Sequence, residues 1–395
     1  MVRNGTKEIA EGQGRRLSLL IGGLGGGGAQ GVCVTLANAL VARGHSVEIA
    51  VLDLRSAKRL DEVDDSVAVV DLQAGRARYA WWPLVRHYRT SCYDVVLVFS
   101  PELWLLMAGI RWRTRGSYRL LTRTINTFGA VARYSPSLLR RTVVDWLLRL
   151  FYRRAEGVIA QSAAMAAELI VVYRVPPERL HVIPNPVSPS YLAVDGNTPR
   201  PMESPYILYV GRLAFQKGLG RLLCAFAEHA AQRTELQLVL LGEGPCRDEL
   251  VKQATALGID GQVHFLGHQG EVMPWYRHAV TTVLTSRYEG LPNVLIESIA
   301  CGTPVVSFDC PSGPSEIIVD GENGYLVLEG DVAGLVRALA SIEQGDFDRE
   351  RVRATAKRYS PERVVSDYER VLFDLTYASD QLTRVTTDMR NEQEK

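Results

Sequence analysis

Short β-branched runs alternate with helical segments along almost the whole chain, and glycine-rich turns close many of the runs. Leu17 to Ile21 enters the turn Gly22-Gly23-Leu24-Gly25-Gly26-Gly27-Gly28-Ala29-Gln30-Gly31. A helix carrying Val32, Leu36, Ala39 and Leu40 follows, stops at Gly44, and gives way to a second strand from Ser46 to Leu52. Further strands are read at Tyr93–Phe99, Arg119–Arg123 and Leu180–Val187 in the first half. In the second half they fall at Tyr206–Val210, Leu236–Leu241, Val263–Gln269 and Thr282–Thr285. Such alternation predicts parallel sheets covered by helices on both faces, with ligand-binding turns at strand C-terminal ends. A chain of 395 residues is long enough for two such domains. A polar stretch from Asp195 to Pro205, rich in Gly, Pro and Asn, reads as the linker. The expected division is a flexible lead at 1–15, a first domain at 16–198, a second at 199–360, a terminal helix at 361–378 and a disordered polar tail at 379–395.

The densest motif is SRYEGLPNVLIESIACGTPVVS, from Ser286 to Ser307. It reads as the end of a strand, a tight loop at Glu289-Gly290, a short helix and another strand. Pro292 suits a first helical turn, where its missing N–H costs nothing. Gly302 suits the left-handed stop. The N–H groups of Leu291, Asn293 and Val294 then lie at a helix N-terminus, whose partial positive charge favours phosphate. Two carboxylates, Glu289 and Glu297, flank that end. Carboxylates beside a phosphate site make sense for a ligand that also carries hydroxyls; two isolated glutamates would be a cap and a solvated helix residue. Upstream, the loop Gly211-Arg212-Leu213-Ala214-Phe215-Gln216-Lys217-Gly218 supplies an arginine fork and a lysine point charge, which suit a diphosphate leaving group.

The E-x7-E pair in this setting resembles the signature of retaining glycosyltransferases of the GT4 family, which have the GT-B fold: two doubly wound Rossmann-like α/β domains facing a cleft. The resemblance implies that Glu289 faces the donor sugar, that Glu297 binds ribose hydroxyls, and that the backbone at Gly290, Leu291, Asn293 and Val294 binds diphosphate. The loop from Gly211 to Lys217 is similar to the family's GR-x4-K loop, which implies Arg212 and Lys217 as catalytic cations with Glu289. The turns at Gly242-Glu243-Gly244-Pro245 and at His268 correspond to those lining the nucleotide pocket, with His268 a turn histidine beside the base rather than a catalytic base. On the first domain, Gly27 and Gly28 belong to a turn on the donor or acceptor side of the cleft. Arg123 and Asn126 match the acceptor-side element of relatives, without its histidine. The activity implied is transfer of a hexosyl or N-acetylhexosaminyl group, with retention, to a glycan or polyprenyl-diphosphate-linked acceptor, with no cofactor and no obligatory metal. An epimerase or phosphorylase on the same scaffold, or a non-catalytic nucleotide-sugar-binding protein, stands as the alternative. For the first glycine turn a dinucleotide site with Asp53 on a ribose, or a merely structural turn, also stays open.

Charge narrows the partners. The formal net charge is +1, so the whole molecule is no polyanion binder. Between Arg76 and Arg154, however, fifteen arginines face only Asp94, Glu102 and Asp145, and tryptophans and tyrosines interleave. A basic solvated face, an anionic membrane surface and a nucleic acid all fit that bias, although no nucleic-acid motif accompanies it. The six cysteines show no metal spacing and suit a reducing compartment. No apolar run is long enough to cross a bilayer and the N-terminus does not read as a signal peptide. The expected location is cytoplasmic, with the inner face of the plasma membrane as the alternative.

Overall fold

The computed structural model describes residues 14–55, 57–125, 138–193, 198–345 and 347–373. The chain divides into two compact units: Met1–Pro186 with Pro361–Lys395, and Val187–Ser360.

The sheet of the first unit has seven strands: β1 (Arg16–Ile21), β2 (Ser46–Val51), β3 (Ala68–Asp71), β4 (Val95–Val98), β5 (Arg119–Arg123), β6 (Gly157–Ala160) and β7 (Leu180–Val182). Their order is β3-β2-β1-β4-β5-β6-β7. All neighbours pair in parallel, with Leu17 opposite both Val47 and Val95. Helices cover both faces, so the central strands are apolar on both sides, as parallel sheets require. One face packs Leu84, Trp104, Met107, Tyr152 and Leu169 beneath helices Trp81–Thr90, Pro101–Thr114, Leu138–Phe151 and Ala163–Val171. The other packs helix Gly28–Ala42 beside helix Pro361–Leu372, through Leu36, Leu40, Val364, Tyr368 and Leu372.

That last helix is tied in at several points. Arg119 donates to the carbonyl of Val371 at 2.7 Å, and His45 meets Glu369 at 3.0 Å. Arg123, fully buried, donates from Nε to the hydroxyl of Tyr368 at 2.9 Å, also donates to Asn185, and lies over the ring of Phe99.

The sheet of the second unit has six parallel strands: β8 (Tyr206–Val210), β9 (Gln237–Leu241), β10 (Val263–Gly267), β11 (Thr281–Leu284), β12 (Val305–Asp309) and β13 (Gly324–Leu328). Their order is β10-β9-β8-β11-β12-β13. Each sheet therefore reverses its winding once, between β1 and β4 in the first unit and between β8 and β11 in the second. Crevices that hold ligands in open α/β sheets form at such reversals.

Two local readings are corrected. The helix expected after Gly31 begins at Gly28, with the N–H of Gly31 already bonded to Gly27. Core packing by Val32, Leu36 and Leu40 outweighs the helix penalty of the last glycines. Pro292 is not in the first turn but is the N-cap of helix Asn293–Ala300, in extended backbone. At its other end Gly302 takes φ +80°, the left-handed stop. No helix among the described residues is long and apolar enough to cross a membrane. All six cysteines are free.

Removing the Tyr368 hydroxyl leaves a buried guanidinium N–H unpaired. Tyr368→Phe is expected to lower stability by roughly 1–3 kcal/mol. Chemical denaturation of the two proteins measures the difference, and coincident curves would show that this bond contributes nothing.

Candidate active site

The loops leaving β8 and β11 start from neighbouring strands at the reversal in the second sheet. They are stitched together along their length. The N–H of Arg287 donates to the carbonyl of Gln216 at 2.8 Å, Gln216 Nε2 to the carbonyl of Tyr288 at 2.9 Å, and Thr285 Oγ1 to the carbonyl of Lys217 at 3.0 Å. These bonds set the two loops in register and bring their charged side chains into contact. Lys217 Nζ donates to Glu289 Oε1 at 2.6 Å, and Ser286 Oγ donates to the same oxygen at 2.5 Å. Glu289 is 7 % exposed. Its carboxylate thus has one oxygen doubly bound, while Oε2 accepts no hydrogen bond among the described residues.

Arg212 lies on the β8 side, exposed, and its guanidinium has no partner among the described residues. On the β11 side, helix Asn293–Ala300 begins with no side-chain cap and no acid in its first turn. A helix N-terminus carries partial positive charge. Gly290 and Leu291 are buried in the loop before it, and Asn293 and Val294 are half-buried in its first turn. The carbonyl of Gly290 accepts from Ser312 Oγ at 2.9 Å. Glu297 sits one turn further on, where the phenol of Tyr276 donates to Oε2 at 2.9 Å. Burial holds that phenol well above its ordinary pKa, so it stays a donor.

The ends of β9 and β10 complete this edge. The N–H of Gly242 donates to the carbonyl of Gly267 at 2.7 Å. A Cβ on Gly242 would stand 2.0 Å from the carbonyl oxygen of Gly211, so only glycine lets the two turns meet. Gly244 lies against the carbonyl of Leu213, and His268 follows Gly267 as an exposed residue. Every candidate residue of the second half, from Gly211 to Glu297, therefore lies at the C-terminal edge of one sheet. Ser286 and Tyr276, which orient the two glutamates, carry no sequence signal of their own. Their contacts arise only once the strands pair.

The candidates of the first half are more dispersed. Gly27 caps helix Gly28–Ala42 with Gly28 as its first residue, both exposed, in the loop after β1. Arg123, at the end of β5, is 0 % exposed and offers no surface to a ligand. Asn126 lies outside the described residues. Asp53, weighed as a ribose ligand, is gripped by Arg55, whose hydrogen bonds hold its carboxyl down to about 2. A separate recess of about 550 Å³ lies at the opposite edge of the first sheet, lined by Arg111, Arg119, Glu156, Glu178, Arg179 and His181. Arg111 and Glu156 pair within it at 2.6 Å. It is remote from the winding reversal and holds none of the candidate residues.

Comparison with known proteins matches each half to a family. Residues 194–359 match the family described as "Glycosyl transferases group 1", and residues 26–191 match "Glycosyltransferase Family 4". The lipopolysaccharide core biosynthesis glycosyltransferase LpsE of Rhizobium meliloti is 40 % identical over 36 % of this chain and 40 % of its own length. The N-acetylgalactosamine-N,N'-diacetylbacillosaminyl-diphospho-undecaprenol 4-alpha-N-acetylgalactosaminyltransferase of Campylobacter jejuni is 28 % identical over 57 % of this chain and 60 % of its own. The match thus spans less than two thirds of either of these two relatives. The amylovoran biosynthesis glycosyltransferase AmsD of Erwinia amylovora is 26 % identical over 79 % of this chain and 85 % of its own. Among solved structures, the galactosyltransferase WaaB superposes with TM-score 0.67 at 20 % identity, over 91 % of this chain and all of its own. Anabaena HepE in complex with UDP and glucose superposes with TM-score 0.75 at 20 % identity over the same shares.

Ser286→Ala removes one of the two donors to Glu289 while keeping Lys217. It is expected to cost about 1 kcal/mol of stability. Urea unfolding reads this, and a loss several times larger would mean that the hydroxyl, not the ammonium, is the main partner of the carboxylate.

Proposed function

Because the chain belongs to the GT4-type glycosyltransferases and has their GT-B fold, we propose that it moves a sugar, with retention, from a nucleotide-diphosphate sugar to a glycan or lipid-linked acceptor in cell-surface polysaccharide or glycolipid assembly. The observation that carries this reading is the contact between Lys217 and Glu289 at the winding reversal of the second sheet. It joins an anion-binding group to a hydroxyl-binding group within one hydrogen bond. A diphosphate attached to a sugar needs that pairing, and a dinucleotide or a bare phosphate does not.

In the proposed reaction, Arg212, Lys217 and the N-terminal end of helix Asn293–Ala300 bind the diphosphate. An ammonium has three donors, so Lys217 can keep Glu289 and still donate to a phosphate oxygen. Charge on that oxygen grows as the bond to the sugar breaks, and groups already aimed there stabilise the transition state more than the ground state. Glu289, with Oε1 fixed, uses Oε2 to hold a hydroxyl of the donor sugar. Glu297, oriented by Tyr276, takes ribose hydroxyls, and His268 lies beside the base. The acceptor hydroxyl attacks on the face the leaving group departs from and passes its proton to the departing phosphate. The protein's own cations carry the charge, so no metal is obligatory and transfer should survive chelation by EDTA.

The acceptor reading is supported by relatives named for lipopolysaccharide core, amylovoran and a diphospho-undecaprenol glycan. UDP-sugars are the first donors to test, since HepE has been solved with UDP-glucose. In this reading Gly27 and Gly28 contact donor or acceptor. Arg123 serves there as a positioning residue, holding the end of β5 from within the core. The proposed location is the cytoplasm, with the inner face of the plasma membrane as the place of work if the acceptor is lipid-linked, and with no nucleic-acid partner.

Incubation with labelled UDP-sugars, with and without polyprenyl-diphosphate glycans, tests this. Product that forms only with acceptor supports transfer; sugar conversion without acceptor would instead mean an epimerase, and no turnover with any pair a binding protein. Arg212→Ala and Lys217→Ala are each expected to lower kcat by on the order of 10². Unchanged turnover in folded variants would remove both from the mechanism.

A further inference from the structure

Sugar transfer at the second sheet makes no use of the pattern on the outer helices of the first. Helices Trp81–Thr90, Pro101–Thr114 and Leu138–Phe151 lie side by side over one face of that sheet. Each buries one stripe, as with Leu84 and Tyr88 on the first and Leu103, Met107 and Ile110 on the second. Each also leaves one tryptophan outside. Trp82 is 75 % exposed, Trp112 84 % and Trp146 61 %. The chain has six tryptophans, and these three are its exposed ones. Single exposed apolar side chains are ordinary, but one indole on each of three adjoining helices forms a patterned surface.

Exposed cations accompany these tryptophans. Trp82, Arg86 and Arg89 are spaced i, i+4, i+7, and all three are exposed. Trp146 is followed three residues on by exposed Arg149, and Trp112 directly by exposed Arg113. On these three helices the acids are Glu102 and Asp145. Asp145 accepts from Arg149 at 2.8 Å and from Tyr173 at 2.6 Å, so that acid and that arginine offset each other.

We propose that this helical layer is the docking surface for a membrane rich in anionic phospholipid. Guanidinium groups pair with headgroup phosphates through two parallel hydrogen bonds, and indoles settle at the headgroup level. Proteins that hold single-stranded nucleic acid set their stacking rings in a basic groove, whereas these indoles stand on the outward faces of helices. The inference rests on the reading that the protein works at the inner membrane face and names the residues that make the contact.

The test is flotation of the full chain with vesicles of phosphatidylcholine alone or mixed with phosphatidylglycerol. The protein is expected to float with the mixed vesicles, less so as salt rises, with indole emission moving to shorter wavelength. Arg86→Glu with Arg89→Glu is expected to reduce partition on the order of tenfold or more. Trp82→Ser, Trp112→Ser and Trp146→Ser together should abolish the emission shift. Melting temperature and UDP binding are measured for each variant, and Arg86→Gln with Arg89→Gln replaces the glutamate pair if that pair fails to fold. Equal flotation with neutral vesicles, no flotation, variants that float like the parent, or preference for single-stranded RNA would each overturn the proposal. Flotation without sugar transfer keeps the docking surface and sinks the enzyme reading; transfer to a soluble acceptor without flotation does the reverse.

Discussion

The second unit depends on an ion pair that its topology makes unavoidable. Glu289 is almost fully buried at the end of β11, where an ionised carboxylate without partners would cost several kcal/mol. Lys217 and Ser286 compensate it, and both point at one oxygen. The arrangement is asymmetric by construction: the loop-to-loop bonds fix where Lys217 enters, so Oε1 is saturated and Oε2 keeps its capacity to accept. Charged groups held in place before a substrate arrives need not reorganise during the reaction, which is the condition for strong electrostatic catalysis.

Much of the scaffold was legible in the sequence because parallel strands buried on both faces leave uninterrupted β-branched runs. Arg119–Arg123 and Tyr206–Val210 are found where those runs lie. β3 was not legible. It is a four-residue edge strand, half-buried at every position, and its apolar run, Val67 to Val70, is short and set between polar residues. Helix Pro101–Thr114 escaped for another reason: apolar residues run almost without a break from Leu103 to Ile110, so no single buried stripe stands out. The Lys217–Glu289 contact spans 72 residues, so only pairing of β8 with β11 could reveal it.

Arg123 shows how a residue type can mislead about its setting. An arginine at the end of a strand reads as a surface cation near a ligand, yet this one lies in the core, between the ring of Phe99 and the hydroxyl of Tyr368. Tyr368 comes from the helix that begins at Pro361, after the whole second unit has been traversed. A buried guanidinium must find acceptors, and part of what this one finds is supplied by that returning helix. The C-terminal segment is therefore part of the first unit's interior, not an appendage to it.

The N-terminal end of helix Asn293–Ala300, where the diphosphate is proposed to bind, is likewise a product of tertiary structure. Eight residues are too few for a helix stable by itself in water. Its far end is pinned instead: Ser298 Oγ lies 2.8 Å from Thr282 Oγ1 and 3.0 Å from the carbonyl of Thr303, and Thr303 Oγ1 donates to the carbonyl of Tyr276 at 2.6 Å. Leu295, Ile296 and Ile299 bury its apolar side. Those contacts fix the helix axis and so decide where its N-terminal dipole points. Tyr276 enters the same network through its carbonyl and reaches Glu297 through its phenol. The orientation of the carboxylate and the aim of the dipole are thus set by one group of buried hydrogen bonds, several of them beyond the reach of any ligand.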